Sequence, residues 1–313
     1  MNSERVATIP DIHGHAKGEH RVYAAERPIA YTPRMLFLWF YHAARRGWPR
    51  RLMVSDHINF TTAKDAEAVR TVRRALDLAR QGDVIRTAQT ADVYVTHASV
   101  VADALGNGMR FSIGIEADND PRTPAGAASI VETMRPDSII RSVHFIPIEQ
   151  RETGDGWMWP FDNPEFAKLY NAIGVEKTWA LYISTLLKEI EAPCDVVGHF
   201  YVPAKFGHWP CPRRLEQYED QVLEVCRARR LALELNTRVL YDETLVHQTQ
   251  AYVDANRRLL TKAKARGVKI AVGSDAHRPD DQGQGFEIAL ALLDECGIDE
   301  VDFPTERQSE PVG

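Results

Sequence analysis

The chain has 313 residues and a formal net charge of −6, from 44 acidic and 38 basic side chains without a long basic run, which argues against nucleic acid and anionic membranes as partners. Its four cysteines form no Cys-x-x-Cys pair, which predicts reduced thiols and a cytoplasmic protein. The longest apolar run, Met35–Tyr41, is far shorter than the roughly 20 residues of a membrane span, and the N-terminus lacks a signal-peptide core, so we expect a soluble protein.

Helical patterns with recognisable start and stop residues recur along the chain. The first begins after Thr32, an N-cap residue followed by Pro33, and ends at Gly47, which can adopt the left-handed conformation. The second covers about 62–81 and stops at Gly82. Later helices are predicted at about 175–190, 214–230, 248–266 and 285–296.

Short apolar runs alternate with these helices. The first leads into residues 11–15, and the others are Leu52–Val54, Phe111–Ile115, Ile139–Val143, Val196–Val197, Leu231–Leu235 and Ile270–Val272. Such runs are typical of parallel strands that are buried on both faces. The alternation of strand and helix therefore predicts an α/β fold.

The rest of the chain is interpreted from composition. We expect residues 1–303 to form a single domain and the polar residues 304–313 to form a frayed tail. Residues 83–108 form a long element, predicted to be helical near 96–105. Residues 149–165 are rich in Trp, Gly, Pro and Asp, which is typical of a functional loop or lid.

Metal-binding residue types stand at the ends of six of the seven strand-like runs. They are His13 and His15, His57, Glu116, His144, His199, and Asp275 with His277, and His20 follows in the first loop. Imidazole and carboxylate groups bind Zn²⁺, Mn²⁺ and Fe²⁺. Because the first strand, the last strand and most strands between contribute, a closed or nearly closed barrel fits better than an open sheet, whose edges lie far apart.

A single histidine at a strand end is explained equally well by an ordinary hydrogen bond in the core. The ordered set makes that explanation much weaker, so we interpret the chain as a multinuclear metallohydrolase. The histidines outside the set, His42, His97 and His247, are assigned to ordinary helical positions. His208 lies in a Pro/Trp loop and is retained as a candidate substrate contact.

Four longer motifs accompany the ligand order: SVHFI at 142–146, FDNPEF at 161–166, LELNT at 233–237 and GSDAH at 273–277. Together they resemble the PHP (polymerase and histidinol phosphatase) superfamily, and more specifically its histidinol-phosphate phosphatases. The resemblance covers about residues 9–297. It implies a distorted (β/α)7 barrel that holds up to three metal ions at the C-terminal ends of its strands.

The resemblance also implies how the ligands are shared. One ion would be bound by His13, His15, Glu116 and Asp275. A second would be bound by Glu116, His144 and His199, and a third by His20, His57 and His277. Four residues separate His15 from His20, where related sequences often have five. The segment from 149 to 160 is expanded, so the substrate pocket is expected to differ from one for histidinol phosphate.

The implied function is hydrolysis of a small phosphate monoester, such as histidinol phosphate or another phosphorylated metabolite. Metal-bound hydroxide would attack phosphorus in line, so a nucleophilic side chain is not required. Asp56, beside His57, is a candidate catalytic orienting group or a hydrogen-bond acceptor behind the ligands.

Substrate contacts are predicted from residues near the strand ends. A phosphate group outside the metal ions needs a cation, and arginine is preferred for its planar donor fork. The candidates are Arg238 first, Lys205 second and Arg278 third, with Asn236 beside them and Trp157 and Trp159 as pocket walls.

Three other functions remain open: a metallohydrolase acting on a C–N or ester bond, a nuclease-like phosphodiesterase, and a catalytically silent metal-binding scaffold. The acidic charge disfavours the nuclease, and the complete ligand set disfavours the scaffold. The ligand types fit zinc, manganese and iron alike, and neither the metal, the substrate nor the oligomeric state follows from the sequence.

Overall fold

The computed structural model describes residues 2–18, 30–58, 61–149, 156–245 and 248–303. Three features predicted from the sequence, His20, the helical position of His247 and the tail from 304 to 313, lie outside these residues. Among the described residues, no helix is long and apolar enough to cross a membrane.

The described chain contains twelve α-helices. They are α1 (Asn2–Thr8), α2 (Pro33–Arg46), α3 (Ala63–Arg80), α4 (Val84–Ala91), α5 (Val95–Gly106), α6 (Ala127–Met134), α7 (Leu169–Ile173), α8 (Val175–Glu189), α9 (Pro212–Arg229), α10 (Arg238–Tyr241), α11 (Thr249–Ala265) and α12 (Phe286–Cys296). The six predicted helices are confirmed to within about two residues at each end, as α2, α3, α8, α9, α11 and α12.

Nine strands lie between these helices in the described residues. They are β1 (Arg51–Val54), β2 (Arg110–Ile113), β3 (Ile115–Ala117), β4 (Ile139–Arg141), β5 (Phe145–Glu149), β6 (Gly156–Pro160), β7 (Val196–Val197), β8 (Ala232–Asn236) and β9 (Ile270–Gly273). Five of them form a parallel sheet in the order β3-β4-β7-β8-β9, β1 and β2 form a parallel pair, and β5 and β6 form an antiparallel hairpin.

The chain segment of β2 and β3 changes partners at Gly114. The Gly114 N–H donates to Val54 O at 2.8 Å, whereas the next N–H, of Ile115, donates to Ser138 O at 3.0 Å. A Cβ atom at position 114 would lie 2.6 Å from the sulfur of Met53 and 2.9 Å from the Ser138 carbonyl oxygen. Glycine therefore lets one segment, predicted as a single strand, pair with β1 first and with β4 afterwards.

Residues 11–15 lie between β9 and β1 and are bonded to both. The N–H of Ile12 donates to Val272 O at 3.0 Å, and the carbonyl oxygen of Asp11 accepts from Met53 N–H at 2.8 Å. Parallel bridges join Asp11 to Leu52 and Gly14 to Ala276. The first predicted strand is therefore present as a bridging segment that aligns its histidines with the ends of β1 and β9.

A small apolar cluster joins the strands. It contains one residue from each of six parallel segments, namely Ile12, Met53, Ile140, Val196, Ala232 and Ala271, and each is at most 2% exposed. Two larger clusters pack the helices against the sheets, one around α2–α5 and the other around α7–α12. The helices thus cover the outer surface of the strands, as in α/β folds.

The segment from 149 to 165 differs from its prediction as a loop. Residues 156–160 form strand β6 and pair with β5 from Phe145↔Pro160 to Glu149↔Gly156, while residues 150–155 are outside the described part. The alternating tryptophans of β6 suit a strand, because aromatic side chains pack well on a pleated surface. The long element at 83–108 contains two helices, α4 and α5.

Candidate metal centre

Glu116 on β3 lies at the centre of the predicted ligands and is fully buried. Its Oε1 atom lies 3.1 Å from Nε2 of His144 and 3.0 Å from Nε2 of His199. Its Oε2 atom faces another pair, at 3.3 Å from Nε2 of His13 and 3.6 Å from Nε2 of His15. The two oxygens of one carboxylate therefore face two different sets of imidazoles.

Asp275, just after β9, completes the set around Oε2 of Glu116. Its Oδ1 lies 3.1 Å from Nε2 of His15 and 3.9 Å from Nε2 of His13. The residue has φ 53°, the left-handed region that aspartate tolerates better than most residues. This backbone turn directs the carboxylate back across the strand ends.

A third group forms around His15, His57 and His277, whose candidate ligand atoms lie within 4.8 Å of one another. The rings of His15 and His57 stack at 4.5 Å, and those of His15 and His277 are 4.4 Å apart. His57 Nδ1 also lies 2.9 Å from Oε2 of Glu116. The structure thus brings together every predicted ligand that it describes, and His20 remains outside the described residues.

These distances suit metal ions. Ligand atoms about 2.1 Å from a tetrahedral ion stand roughly 3.4 Å apart, close to the separations around Glu116. Nε2 of His13 and Oε2 of Glu116 are buried, and neither has a hydrogen bond among the described residues. Buried polar atoms without partners are costly, and a shared cation would satisfy both. The donor set therefore fits divalent transition metals.

A second carboxylate contacts three of the imidazoles. For His13 and His144 it contacts the ring nitrogen opposite the one that faces Glu116, whereas for His57 it contacts the same nitrogen as Glu116. Nδ1 of His13 is 2.7 Å from Glu234 Oε1, and Nδ1 of His144 is 3.0 Å from Asp162 Oδ2. Nδ1 of His57 is 3.0 Å from Asp118 Oδ2. For His13 and His144, a proton on Nδ1 donated to the carboxylate leaves Nε2 as the metal-facing lone pair, the arrangement of metal-bound histidines.

These three carboxylates are not among the residues predicted from the sequence. Glu234 stands at the end of the sixth strand-like run, which ends without a typical ligand, and Asp162 lies in the FDNPEF motif. Asp118 follows Glu116 by two residues, so the strand period placed it on the same face. The sequence position of each carboxylate is compatible with a role at the site. Which histidine each one contacts follows only from the three-dimensional structure.

The electrostatics of the site favour positive charge. Burial opposes protonation of His13, but the negative charges of Glu234 and Glu116 outweigh it and hold the His13 pKa well above its usual value. The pKa of His144 is raised in the same way, against burial, by Asp162 and Glu116. Burial opposes ionisation of Glu116, yet the charges of His57 and His13 keep its pKa well below the usual range. A field that attracts protons also attracts metal cations.

Asp56 holds the loop behind the ligands. Its carboxylate accepts hydrogen bonds from the backbone N–H groups of Ala16 and Lys17, both at 3.0 Å, and from the hydroxyl of Tyr31. These contacts fix the chain just after His15. Of the two roles considered for Asp56, its described contacts are those of a hydrogen-bond acceptor behind the ligands.

A cavity opens beside the centre and contains three of the predicted substrate contacts. Arg238, Lys205 and Asn236 line it together with Asp162 and Tyr252. The Arg238 guanidinium donates to the carbonyl oxygen of Asp275 at 2.8 Å and to Asp242 at 3.3 Å, and it also contacts Nδ1 of His277. The amide nitrogen of Asn236 lies 3.3 Å from Glu234.

The other predicted substrate contacts are not brought to this cavity. Arg278 is 77% exposed and bonds Asp281. Trp159 is fully buried against Tyr170, and Trp157 packs on Phe166. The His208 ring stacks on Tyr170 at 4.1 Å. Trp157 and Trp159 are two residues apart on β6, and their contacts with Phe166 and Tyr170 pack the hairpin against the rest of the protein.

Gly273 allows the close approach of Glu234 to His13. A Cβ atom at this position would lie 2.3 Å from Oε1 of Glu234 and 2.5 Å from Cβ of His13. We expect Gly273→Ala to lower the free energy of unfolding by about 3 kcal/mol or more, because neither neighbour can move without breaking its hydrogen bond. Urea denaturation measures this loss.

The matched control is Gly106→Ala, at the end of α5, where an added Cβ meets no atom within 4 Å. This change should leave the free energy of unfolding unchanged or raise it by about 0.5 kcal/mol, through helix propensity. Equal denaturation midpoints for the two alanine variants would show that the space around Gly273 is not restricted.

Comparisons with known proteins give similarities in sequence and in fold. No protein-family model matches the chain. A Deinococcus radiodurans protein named "probable histidinol-phosphatase" is 27% identical over 220 residues, which cover 70% of this chain and 76% of that protein.

Solved structures share the fold. The crystal structure of histidinol phosphate phosphatase from Lactococcus lactis, in complex with zinc, L-histidinol and phosphate, matches with a TM-score of 0.59 and 15% identity, over 94% of this chain and 95% of that chain. A structure from Listeria monocytogenes matches with a TM-score of 0.56 and 17% identity, over 88% and 98% of the two chains. The chain is therefore similar in sequence and in fold to histidinol phosphatases, and the resemblance indicated by its motifs is confirmed.

Proposed function

We propose that this chain is a metal-dependent phosphatase that hydrolyses a small phosphate monoester of the histidinol-phosphate type. The observation that carries the proposal is Glu116, a buried carboxylate whose two oxygens face two separate sets of imidazoles. Such a bridging carboxylate is typical of sites that hold two metal ions a few ångströms apart, an arrangement that catalyses phosphoester hydrolysis in many phosphatases. The similarity to histidinol phosphatases points to the same chemistry.

The proposed frame is a distorted (β/α)7 barrel. Pairing runs from residues 11–15 through β1, β2 with β3, β4, β7 and β8 to β9, and hydrogen bonds from β9 return to residues 11–15. The small cluster of six buried strand residues would fill its interior. Closure would explain how the first and last strands reach one point.

We assign the ligands to the sets that the resemblance implies. His13, His15, Glu116 and Asp275 would hold one ion, and Glu116, His144 and His199 a second. His57 and His277 would hold a third with His20. Zinc is the metal in the Lactococcus lactis structure, and manganese and iron suit the same donors.

Bound divalent ions would activate a water molecule and neutralise charge on the phosphoryl oxygens. The protein groups have the task of placing the substrate. Arg238 is held by Asp242 and by the carbonyl oxygen of Asp275, so its guanidinium is oriented before substrate arrives. We assign it to the phosphoryl group, with Lys205 as a second cation in the same cavity and Asn236 as a neighbouring amide.

Arg238→Ala should lower kcat/KM for a phosphate monoester by at least about tenfold, about 1.4 kcal/mol of transition-state stabilisation. The first two ions should be retained, because Arg238 bonds the backbone of Asp275 and, among the proposed ligand side chains, contacts only His277 of the third set. Arg238→Lys should recover only part of the rate, since a point charge does not reproduce a two-pronged contact. Steady-state kinetics with elemental analysis measures both quantities.

The control is Arg278→Ala, because Arg278 is exposed and turned towards Asp281. Its kinetics should match the wild type within about twofold. Wild-type kinetics in Arg238→Ala would instead assign the phosphate contact to Lys205.

The proposed function is tested by phosphate release from a panel of small phosphate monoesters, alongside amides, lactones and a phosphodiester. L-Histidinol phosphate is the first substrate to test. We expect chelator-sensitive release of inorganic phosphate near neutral pH from at least one monoester. Turnover of an amide or lactone, with phosphate released from no ester, would replace the phosphatase with the alternative hydrolase.

A further inference from the structure

Glu234 occupies an unusual place among the carboxylates of the site. It is the third residue of β8, between β7 and β9, and it is 3% exposed. Its Oε1 lies 2.7 Å from the His13 ring, and its Oε2 accepts the backbone N–H of His199 at 2.6 Å. One side chain therefore holds residues from two other strand ends.

The His13 contact determines which ring nitrogen can bind a metal. When Nδ1–H donates to Glu234, the lone pair is on Nε2, which lies 3.3 Å from Glu116 and 3.9 Å from Asp275. An amide nitrogen in place of Oε1 could not accept this proton. It would favour the opposite tautomer, in which Nε2 carries a proton and cannot bind an ion.

The His199 contact acts on the main chain. His199 follows β7, and its Nε2 atom lies 3.0 Å from Oε1 of Glu116. A hydrogen bond from its backbone N–H to a carboxylate is charge-assisted and therefore stronger than a neutral one. The bond fixes the point at which the chain turns His199 towards Glu116.

Packing holds Glu234 in this position. Gly273 leaves room for Oε1, where a Cβ atom would approach within 2.3 Å. Asn236 donates to the same oxygen at 3.3 Å. The carboxylate is thus surrounded by groups that match its two acceptor atoms.

We infer that Glu234 is a positioning residue for two metal ions at once, setting the His13 tautomer at the first and the His199 backbone at the second. This inference rests on the ligand sets of the proposed function. It distinguishes Glu234 from Asp162, whose contact is to the ring of His144 and hence to the second ion alone.

The test is Zn²⁺ affinity, measured by competition with a chromophoric chelator in wild type, Glu234→Met and Asp162→Asn. Methionine has nearly the length of glutamate and offers no oxygen acceptor to His13 or His199, whereas glutamine would keep one. Loss of a carboxylate behind a ligand typically costs about 10- to 100-fold in affinity. Glu234→Met should weaken two Zn²⁺ ions by such a factor, whereas Asp162→Asn should weaken one. A loss confined to one ion in Glu234→Met would overturn the double role.

The control is Glu219→Gln. Glu219 is also fully buried, but it lies on α9 and bonds Tyr201, Arg258 and Lys262. A general loss of stability should appear in this variant without a change in Zn²⁺ affinity. If Glu219→Gln and Glu234→Met lose the same affinity, the effect of Glu234 is merely structural and the inference is wrong.

A spectroscopic readout separates positioning from folding. In Zn²⁺-loaded protein with ¹⁵N-labelled histidine, the Nδ1–H of His13 should give a downfield, hydrogen-bonded proton resonance. It should persist in Asp162→Asn and Glu219→Gln and be lost or shifted in Glu234→Met. An unchanged resonance would refute the tautomer assignment.

If Glu234→Met does not fold, Glu234→Asp replaces it. The shorter carboxylate can reach only one of its two partners, so one ion should keep wild-type affinity and the other should weaken. Wild-type affinity for both ions would overturn the inference. Because the titrations contain no substrate, they can fail while phosphatase activity stands, and the reverse also holds.

Discussion

Glu116→Gln is expected to lose the first two metal ions together and to lower kcat/KM by at least about 1000-fold, about 4 kcal/mol of transition-state stabilisation. The reason is that each oxygen of Glu116 faces a different set of imidazoles. The amide nitrogen of glutamine has no lone pair for an ion, so one set loses its carboxylate outright and the bridge is broken. Elemental analysis and phosphate-release kinetics measure the two effects.

Glu219→Gln is a suitable control here as well, because it removes a buried charge whose partners, Tyr201, Arg258 and Lys262, are not predicted metal ligands. It should retain metal. Glu116→Gln protein that folds and still carries two ions per chain would show that Glu116 does not bridge.

Metal removal is the second change with a large expected effect. Protein purified without chelator from metal-supplemented cells should carry two or three transition-metal ions per chain. Dialysis against a chelator should abolish phosphatase activity, because the described site offers metal ligands at its centre and the proposed chemistry needs an activated water. Adding Zn²⁺, Mn²⁺ or Fe²⁺ back should restore it.

Variants at the third set sharpen this test. His20→Ala should cost mainly the third ion, and His277→Ala should do the same while the other ions remain. Fewer than one ion per chain in the wild type, or full activity after complete metal removal, would contradict the metal-dependent function.

The helices could be predicted well because their ends carry local signals. Thr32 accepts the N–H of Met35 as the N-cap of α2, and Gly47 closes that helix at φ 78°. Such interactions lie within a few residues of sequence, so they are visible without tertiary structure. Helix α1 (Asn2–Thr8) was not predicted, and its Arg5 pairs with the distant Asp294.

The strands were less predictable where pairing depends on distant neighbours. The division of one run into β2 and β3 at Gly114 follows from the positions of Val54 and Ser138. In the β5–β6 hairpin, Trp159 packs against Tyr170. This contact lies outside the hairpin and is not indicated by the residues of a turn. Tertiary contacts of this kind override local preference.

The candidate site also has features that the sequence predicts and features that depend on distant contacts. The ligand types and their order at strand ends were visible, because parallel strands place their C-terminal ends on one face. The partners behind them were not, since Glu234 meets His13 across 221 residues. For Trp157, Trp159 and His208, the residue type is the only signal of a substrate contact in the sequence. Aromatic side chains of these types pack in protein cores as often as they line pockets.

The central claim is that these side chains share metal ions, and anomalous diffraction from crystals of metal-supplemented protein soaked in phosphate tests it most directly. The account predicts one anomalous peak within about 2.0–2.3 Å of His13, His15, Glu116 and Asp275 and a second at that distance from Glu116, His144 and His199, with phosphate beside Arg238. An absence of anomalous density between these residues would contradict it.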